Sequence, residues 1–283
     1  MLTGNSKSSP PIQPRAISSQ PLLAGLSSYG RLDGIFGLLT KQESENYNMN
    51  QMPLRIGHRG AAAHAPENTL LSIESALKLG VDLIEVDVQR TSDGSLVILH
   101  DKRVDRTTDG TGYLSELTLE EVRRLDAGSG QKIPLLNEVL AAVRGRSGIM
   151  LELIEEGIAK DVVDCVKASA IQEQVIYASF LHAELLAVRE VEESALTLAL
   201  IEGIPVNETS FAHDAHVTHV GLSFDSTRPG FIQNLHECGC HVFVYTLNDF
   251  VDIERAMLWD VDGIISDRPE RVPRHGGSHR RSR

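Results

Sequence analysis

Leu54-Arg55-Ile56-Gly57-His58-Arg59-Gly60, then Pro66-Glu67-Asn68-Thr69, then Leu83-Ile84-Glu85-Val86-Asp87-Val88 together decide how this chain folds. Leu54 to Gly57 predicts a short strand that ends at His58-Arg59-Gly60. Asn68 or Thr69 can cap a following helix, with Leu70, Ile73 and Leu77 as its expected buried stripe and Gly80 as its stop. A second strand over Leu83 to Val88 follows at once. Strand, helix and strand make a βαβ unit, whose right-handed crossover brings the ends of both strands to one rim. His58 therefore shares a rim with Glu85 and Asp87.

The second strand continues through Gln89-Arg90-Thr91-Ser92-Asp93-Gly94 into Ser95-Leu96-Val97-Ile98-Leu99-His100-Asp101. Side chains two apart lie on one strand face, so Glu85 and Asp87 point the same way while Val86 and Val88 point the other. The Thr-Ser-Asp-Gly connection is too short for a parallel crossover, which needs about a dozen residues, so the next run folds back as a hairpin. A turn centred on Ser92 and Asp93 places His100 opposite Glu85. Two acids and an imidazole at one sheet end suggest a divalent cation beside a proton-transfer group.

At 283 residues the chain can bury a large core, and a domain of about 220 residues suits a barrel. A formal net charge of -12 argues against binding to nucleic acid, which needs concentrated Lys and Arg. Cys165, Cys238 and Cys240 fit neither a zinc knuckle nor a secreted disulfide scaffold, and read as thiols in a reducing, cytoplasmic setting. No window approaches about 18 uninterrupted apolar residues, so no transmembrane span is expected. Residues 1–52 are rich in Ser, Pro, Gln and Asn and read as an extension outside the domain, either disordered or preceding a start at Met49 or Met52. Their first 32 residues lack Asp and Glu, which leaves organellar addressing as the alternative. The domain is expected over 53–272, and 273–283 read as a basic flexible tail.

Past the hairpin, Lys102 to Gly112 is a polar loop, and Thr118-Leu119-Glu120-Glu121 is a capping box opening a helix. Strands and helices then alternate to Gly263-Ile264-Ile265-Ser266, which indicates a parallel sheet covered by helices. Nine candidate strands are one too many for an eight-stranded barrel. Since the hairpin is not parallel, one of its arms is expected outside the regular barrel, or one weak later segment is loop.

Glu152 sits in the apolar run Ile149-Met150-Leu151-Glu152-Leu153, where a carboxylate is costly without a cation or donors. With Glu85 and Asp87 it would complete a cluster at the strand C-terminal rim, where barrel enzymes hold their sites. Oxygen-only ligands suit Mg²⁺ or Ca²⁺. His58 and His100 can act as acid and base, and Arg59 offers a planar fork for two phosphate oxygens. His213, His216 and His219 fall in a weakly patterned segment and read as solvated.

These residues carry a resemblance. His58-Arg59-Gly60, Pro66-Glu67-Asn68-Thr69, Glu85-Val86-Asp87-Val88, His100-Asp101 and Asp105-Arg106-Thr107-Thr108 are similar, in order and spacing, to the signature of the glycerophosphodiester phosphodiesterase family. Ile133-Pro134, Ser179-Phe180 and Gly263 to Pro269 resemble later landmarks of that family. The resemblance implies a (β/α)₈ TIM barrel that uses a divalent cation to hydrolyse small glycerophosphodiesters to glycerol 3-phosphate and an alcohol. It implies Glu85, Asp87 and Glu152 as metal ligands, His58 and His100 as the acid-base pair, and Arg59 as the phosphate contact. Phe180 and Tyr245 then line the substrate pocket, with Tyr245 standing where the family commonly has Trp. The family usually has Lys two residues after the third metal acid, and this chain has Ile154 there. Lys160 or a neighbouring Arg could replace that charge. Two alternatives follow: an enzyme acting on lysophospholipids, and a weakly active phosphodiester-binding protein.

Overall fold

The computed structural model describes residues 52–274, and the expectations for the extension before residue 52 and the tail from 275 on lie outside the described residues. Nine strands form one sheet: β1 Leu54–Gly57, β2 Leu83–Arg90, β3 Leu96–Ile98, β4 Gly148–Leu153, β5 Val175–Ser179, β6 Leu196–Ile201, β7 His219–Ser223, β8 His241–Tyr245 and β9 Gly263–Ser266. Eight of them run parallel in the order β1, β9, β8, β7, β6, β5, β4, β2, and β1 pairs with β2 to close the ring. The ninth, β3, is antiparallel to β2 and lies outside the ring, as a hairpin arm must. The fold is an eight-stranded parallel barrel.

Helices α1 Leu70–Leu79, α3 Leu136–Val143, α4 Ala159–Ala168, α5 His182–Val191, α7 Pro229–Glu237 and α8 Phe250–Leu258 alternate with the strands, with short α2 Leu119–Val122 and α6 Ser210–Asp214 between them. Outward-facing Val86, Val88, Leu151 and Leu153 are fully buried against Ile73, Val139, Leu140, Val162 and Val163 of the helices. Inward-facing Ile56, Leu83, Met150, Ile176, Leu198, Leu200, Phe243 and Ile265 fill the barrel interior. Each such side chain contributes about 1.5–3 kcal/mol by burial, so both strand faces are committed to packing except where polar residues interrupt the inner one. Among the interruptions are Glu85, Asp87 and Glu152, which lie side by side on β2 and β4.

Several sequence expectations are corrected. Val88, Gln89 and Arg90 pair with Ile98, Val97 and Leu96, so Glu85 is level with Asp101 and not with His100. The cause is the turn: Thr91 and Ser95 close a three-residue loop in which Gly94 has φ +84, adding a residue to the two-residue turn assumed from the sequence. Leu70 is largely exposed, because Thr69 is the N-cap and helix geometry turns Ser72, Ile73 and Ala76 inward. The loop from Lys102 to Gly112 is polar apart from Val104, which joins Leu114, Val122, Ala127 and Ile133 in a satellite core under Val97 and Leu99. His219 is not solvated. It faces the floor of the barrel with its ring 5.1 Å from that of His241 and 5.3 Å from Phe243, and burial, then the neighbouring His241, holds it down to about 4.

The connection from β1 to α1 fixes where the first site residues point. Ser72 of α1 donates to the Arg59 carbonyl at 2.8 Å and accepts from the Ala61 N–H at 2.8 Å, tying the turn to the helix. Gly60 adopts φ +88, and a Cβ there would lie 2.4 Å from the Ser72 hydroxyl oxygen. Both the conformation and the close approach require glycine. Gly60→Ala is therefore expected to destabilise the protein by about 2–4 kcal/mol. A thermal melt should fall by roughly 4–15 °C for a domain of this size; an unchanged melting temperature contradicts this geometry.

Candidate active site

Ligand oxygens of Glu85, Asp87 and Glu152 lie within 4.8 Å of one another at the open end of the barrel. Asp87 of β2 sits beside Glu152 of β4, with Glu85 two residues below it on the same face. Glu85 and Asp87 are buried, at 2% and 1% exposure. Burial first, then the charges of Asp87 and Glu152, push the Glu85 carboxyl well above its usual range. Burial and the neighbouring Asp87 raise Glu152 to about 8. The Arg59 N–H donates to Glu85 Oε2 at 2.8 Å and Asn68 Nδ2 donates to Asp87 Oδ2 at 2.6 Å. Glu85 Oε1 is buried with no hydrogen-bond partner. An orphaned carboxylate oxygen in an all-oxygen cluster fits a hard divalent cation, which would take that lone pair and neutralise the repulsion.

The two histidines flank the cluster in matching arrangements. His58, just after β1, has its Nδ1 2.6 Å from Asp267 Oδ1, and Asp267 in turn accepts from Asn248 Nδ2 at 2.7 Å. His100, just after β3, has its Nδ1 2.6 Å from Asp101 Oδ1. In each pair the carboxylate takes one ring nitrogen, which fixes the ring and leaves Nε2 for other chemistry. Gln89, on the same face of β2 as the acids, reaches the carbonyls of Leu99, His100 and Asp101 at 2.6, 3.0 and 3.0 Å.

Arg59 has φ +50, which aims its N–H at Glu85 while its guanidinium lies over Asp87, Nε to Oδ2 3.3 Å. Its Nη1 donates to Glu67 Oε1 at 2.7 Å. Burial works to raise the Glu67 carboxyl, but hydrogen bonds from Arg106 and Arg59 outweigh it and hold it at about 2. On the far side of the mouth, Phe180 after β5 stands edge-on to Tyr245 of β8, ring centroids 6.2 Å apart, and the Tyr245 hydroxyl donates to the Ile201 carbonyl at 3.0 Å. Lys160 does not supply the charge absent at Ile154: it is exposed on α4 and paired with Asp164 at 2.5 Å. Arg90 is also engaged elsewhere, with Glu155 at 3.2 Å and Asp161 at 3.4 Å.

The structure thus gathers all six polar residues singled out from the sequence, together with partners that were not: Glu67, Asn68, Arg106, Asn248 and Asp267. Their signal was present only as motif neighbours, since hydrogen-bond partners distant in sequence have no spacing to read.

Residues 58–271 match the model of the glycerophosphoryl diester phosphodiesterase family. The chain belongs to this family. As a member of the glycerophosphodiester phosphodiesterase family it is an enzyme, a phosphoric diester hydrolase. It is 35% identical over 241 residues to a glycerophosphodiester phosphodiesterase of Caldanaerobacter subterraneus, covering 77% of this chain and 95% of that one. It is 30% identical over 232 residues to human glycerophosphodiester phosphodiesterase 1, covering 74% of this chain and 69% of the relative. A glycerophosphodiester phosphodiesterase of Agrobacterium tumefaciens superposes with a TM-score of 0.71 at 30% identity, covering 78% of this chain and 99% of that one. A phosphodiesterase of Oleispira antarctica, in complex with the product sn-glycerol-3-phosphate, has a TM-score of 0.74 at 26% identity and covers 78% of this chain and 95% of that one.

The raised carboxyls give the metal-free enzyme of this family a defined pH response. Between the ordinary glutamate value of 4.5 and about 8, folded Glu152 binds a proton that the unfolded chain has released. Stability therefore falls as pH rises through that window. A divalent cation prefers the ionised acids and reverses the slope, adding about 2.7 kcal/mol at a hundredfold excess over Kd. Melting curves at pH 5 and pH 8 with chelator or with Mg²⁺ and Ca²⁺ check this; equal melting temperatures under all conditions contradict it.

Proposed function

We propose that the protein hydrolyses glycerophosphodiesters to glycerol 3-phosphate and an alcohol with the help of a divalent cation, Mg²⁺ or Ca²⁺. The observation that carries this reading is the buried acid cluster flanked by two histidine–carboxylate pairs and one arginine. Glu85, Asp87 and Glu152 would hold the ion, which when bound draws charge from the phosphoryl oxygens. Arg59 keeps guanidinium donors beyond those spent on Glu67, and these stabilise the charge gathering on the phosphoryl group as it is attacked. One of His58 and His100 takes a proton at Nε2 from the nucleophile, a water or a substrate hydroxyl. The other gives a proton to the departing alcohol oxygen as its bond to phosphorus breaks. Asp267 and Asp101 stabilise whichever imidazolium forms. Phe180 and Tyr245 supply an apolar wall for an ester substituent.

Release of glycerol 3-phosphate from glycerophosphocholine and glycerophosphoethanolamine, measured with Mg²⁺, Ca²⁺ and chelator, tests the proposal. Turnover should require the metal, and His58→Ala and Asp87→Asn should each lower kcat by at least about a hundredfold. Metal-independent or absent turnover, with His58→Ala equal to wild type, sinks it. Ile154 follows β4 two residues beyond Glu152. Ile154→Lys should raise kcat/KM by about ten- to a hundredfold if a phosphate contact is restored. A large gain from negligible activity would favour the weakly active binding protein instead.

Exposed apolar residues at the mouth favour a second reading, a lysophospholipase D-type activity. Phe180 after β5 and Ile204 and Val206 after β6 are exposed at 46%, 40% and 109%. Such a lip suits an acyl chain on the glycerol moiety. On this reading lysophosphatidylcholine is turned over with a higher kcat/KM than glycerophosphocholine, and Ile204→Asp removes the difference; equal or reversed preference in the wild type rules it out.

A further inference from the structure

We infer that Arg106 is a positioning residue that holds the phosphate-contacting arginine and the His100 pair in one rigid frame. The inference rests on the roles proposed above for Arg59 and His100. Arg106 lies in the segment after β3 and touches none of the three acids. Its Nε donates to Asp101 Oδ2 at 2.6 Å and its Nη2 to Asp101 Oδ1 at 2.9 Å. The same guanidinium donates from Nη1 to Glu67 Oε2 and from Nη2 to Glu67 Oε1, both at 2.8 Å.

Nη2 reaches one oxygen on each side, and those two oxygens are the ones already in use. Asp101 Oδ1 holds His100 Nδ1 at 2.6 Å, and Glu67 Oε1 holds Arg59 Nη1 at 2.7 Å. An unbroken chain therefore runs from Asp87 through Arg59, Glu67, Arg106 and Asp101 to His100. A planar guanidinium with five fixed N–H donors can fork onto two carboxylates at once. A lysine ammonium, a point charge with three donors, cannot reproduce two forks.

Burial separates this role from a merely structural one. The Arg106 side chain is 48% exposed, so its ion pairs contribute little to global stability. Its effect is instead orientational: without it, Asp101 and Glu67 each lose two hydrogen bonds and are free to rotate away from His100 and Arg59. Arg106 also forms part of the wall of a cavity of about 630 Å³ lined by Pro66, Glu67, Thr107, Asp109 and Ala127. A small cation can enter that space and occupy the vacated position in a truncated variant.

The test uses the full chain with its divalent cation and glycerophosphocholine, and compares Arg106→Ala, Arg106→Lys and His100→Ala with wild type. Arg106→Ala should lower kcat by about 10- to 100-fold, the loss typical of removing a group that orients catalytic residues through hydrogen bonds. KM should move by less than about threefold, because the role inferred for Arg106 is orientation and not substrate contact. Melting temperature should stay near that of wild type. Arg106→Lys should recover little of the loss, and free guanidinium at non-denaturing concentration should restore part of kcat in Arg106→Ala but not in wild type. A fully active Arg106→Lys, or an Arg106→Ala loss that matches its loss of folded protein and resists guanidinium, overturns the inference. If His100→Ala is inactive while Arg106→Ala matches wild type, only the role of Arg106 fails. If His100→Ala retains wild-type kcat, the function assigned to His100 fails and the positioning role falls with it.

Discussion

Three carboxylates placed side by side in a barrel interior dominate the design of this protein. Taking one carboxylate out of water costs several kcal/mol even after the surroundings relax, and each added neighbour of like charge increases that cost. Much of the first βα connection is built to meet it. Arg59 and Asn68 both adopt left-handed backbone conformations, φ +50 and +58, and each places a donor on one of the acids. Such a conformation costs about 1–2 kcal/mol in a residue with a side chain, whereas a hydrogen bond to a charged group contributes about 1.5–3 kcal/mol. The balance favours the strained turn, and Ser72 with Gly60 holds it in place.

Much of this was legible before any coordinates. Alternation along Glu85 to Gln89 placed both acids on one strand face, and Glu152 betrayed itself as a charge in an apolar strand. The extra ninth strand followed from a connection too short to cross over. What escaped were features set by interactions across the fold. A glycine in the left-handed region at position 94 shifts the hairpin register by one, and Thr91 to Gly94 does not reveal which of two turn geometries it will take. His219 read as solvated alongside His213 and His216, yet its ring packs at the barrel floor, because its neighbours there come from the adjacent strand β8. Asp267 lies 209 residues from His58 and joins it only because β1 and β9 are neighbours in the closed ring.

The mouth of the barrel is divided by chemistry. Strand ends β1 and β2 with the hairpin carry Arg59, Glu67, His100, Asp101 and Arg106, an ionic arc in which every charge has an opposite partner. Strand ends β4, β5, β6 and β8 carry the apolar side chains of Ile154, Phe180 and Ile204 and the phenol of Tyr245. Ile154 stands between Glu152 of the acid cluster and Glu155, which is paired with Arg90 at 3.2 Å.

Gln89 has a consequence for how this architecture tolerates change. The separation between His100 and the acids is set across the strand pair, by an amide that grips three consecutive carbonyls, and not along the intervening loop. Residues of the satellite segment beyond Arg106 can accordingly vary while Gln89 and the Arg106 fork hold the histidine in place. Evolution is left free to remodel the lip of the opening, and with it the choice of alcohol, while one strand keeps the reactive geometry constant.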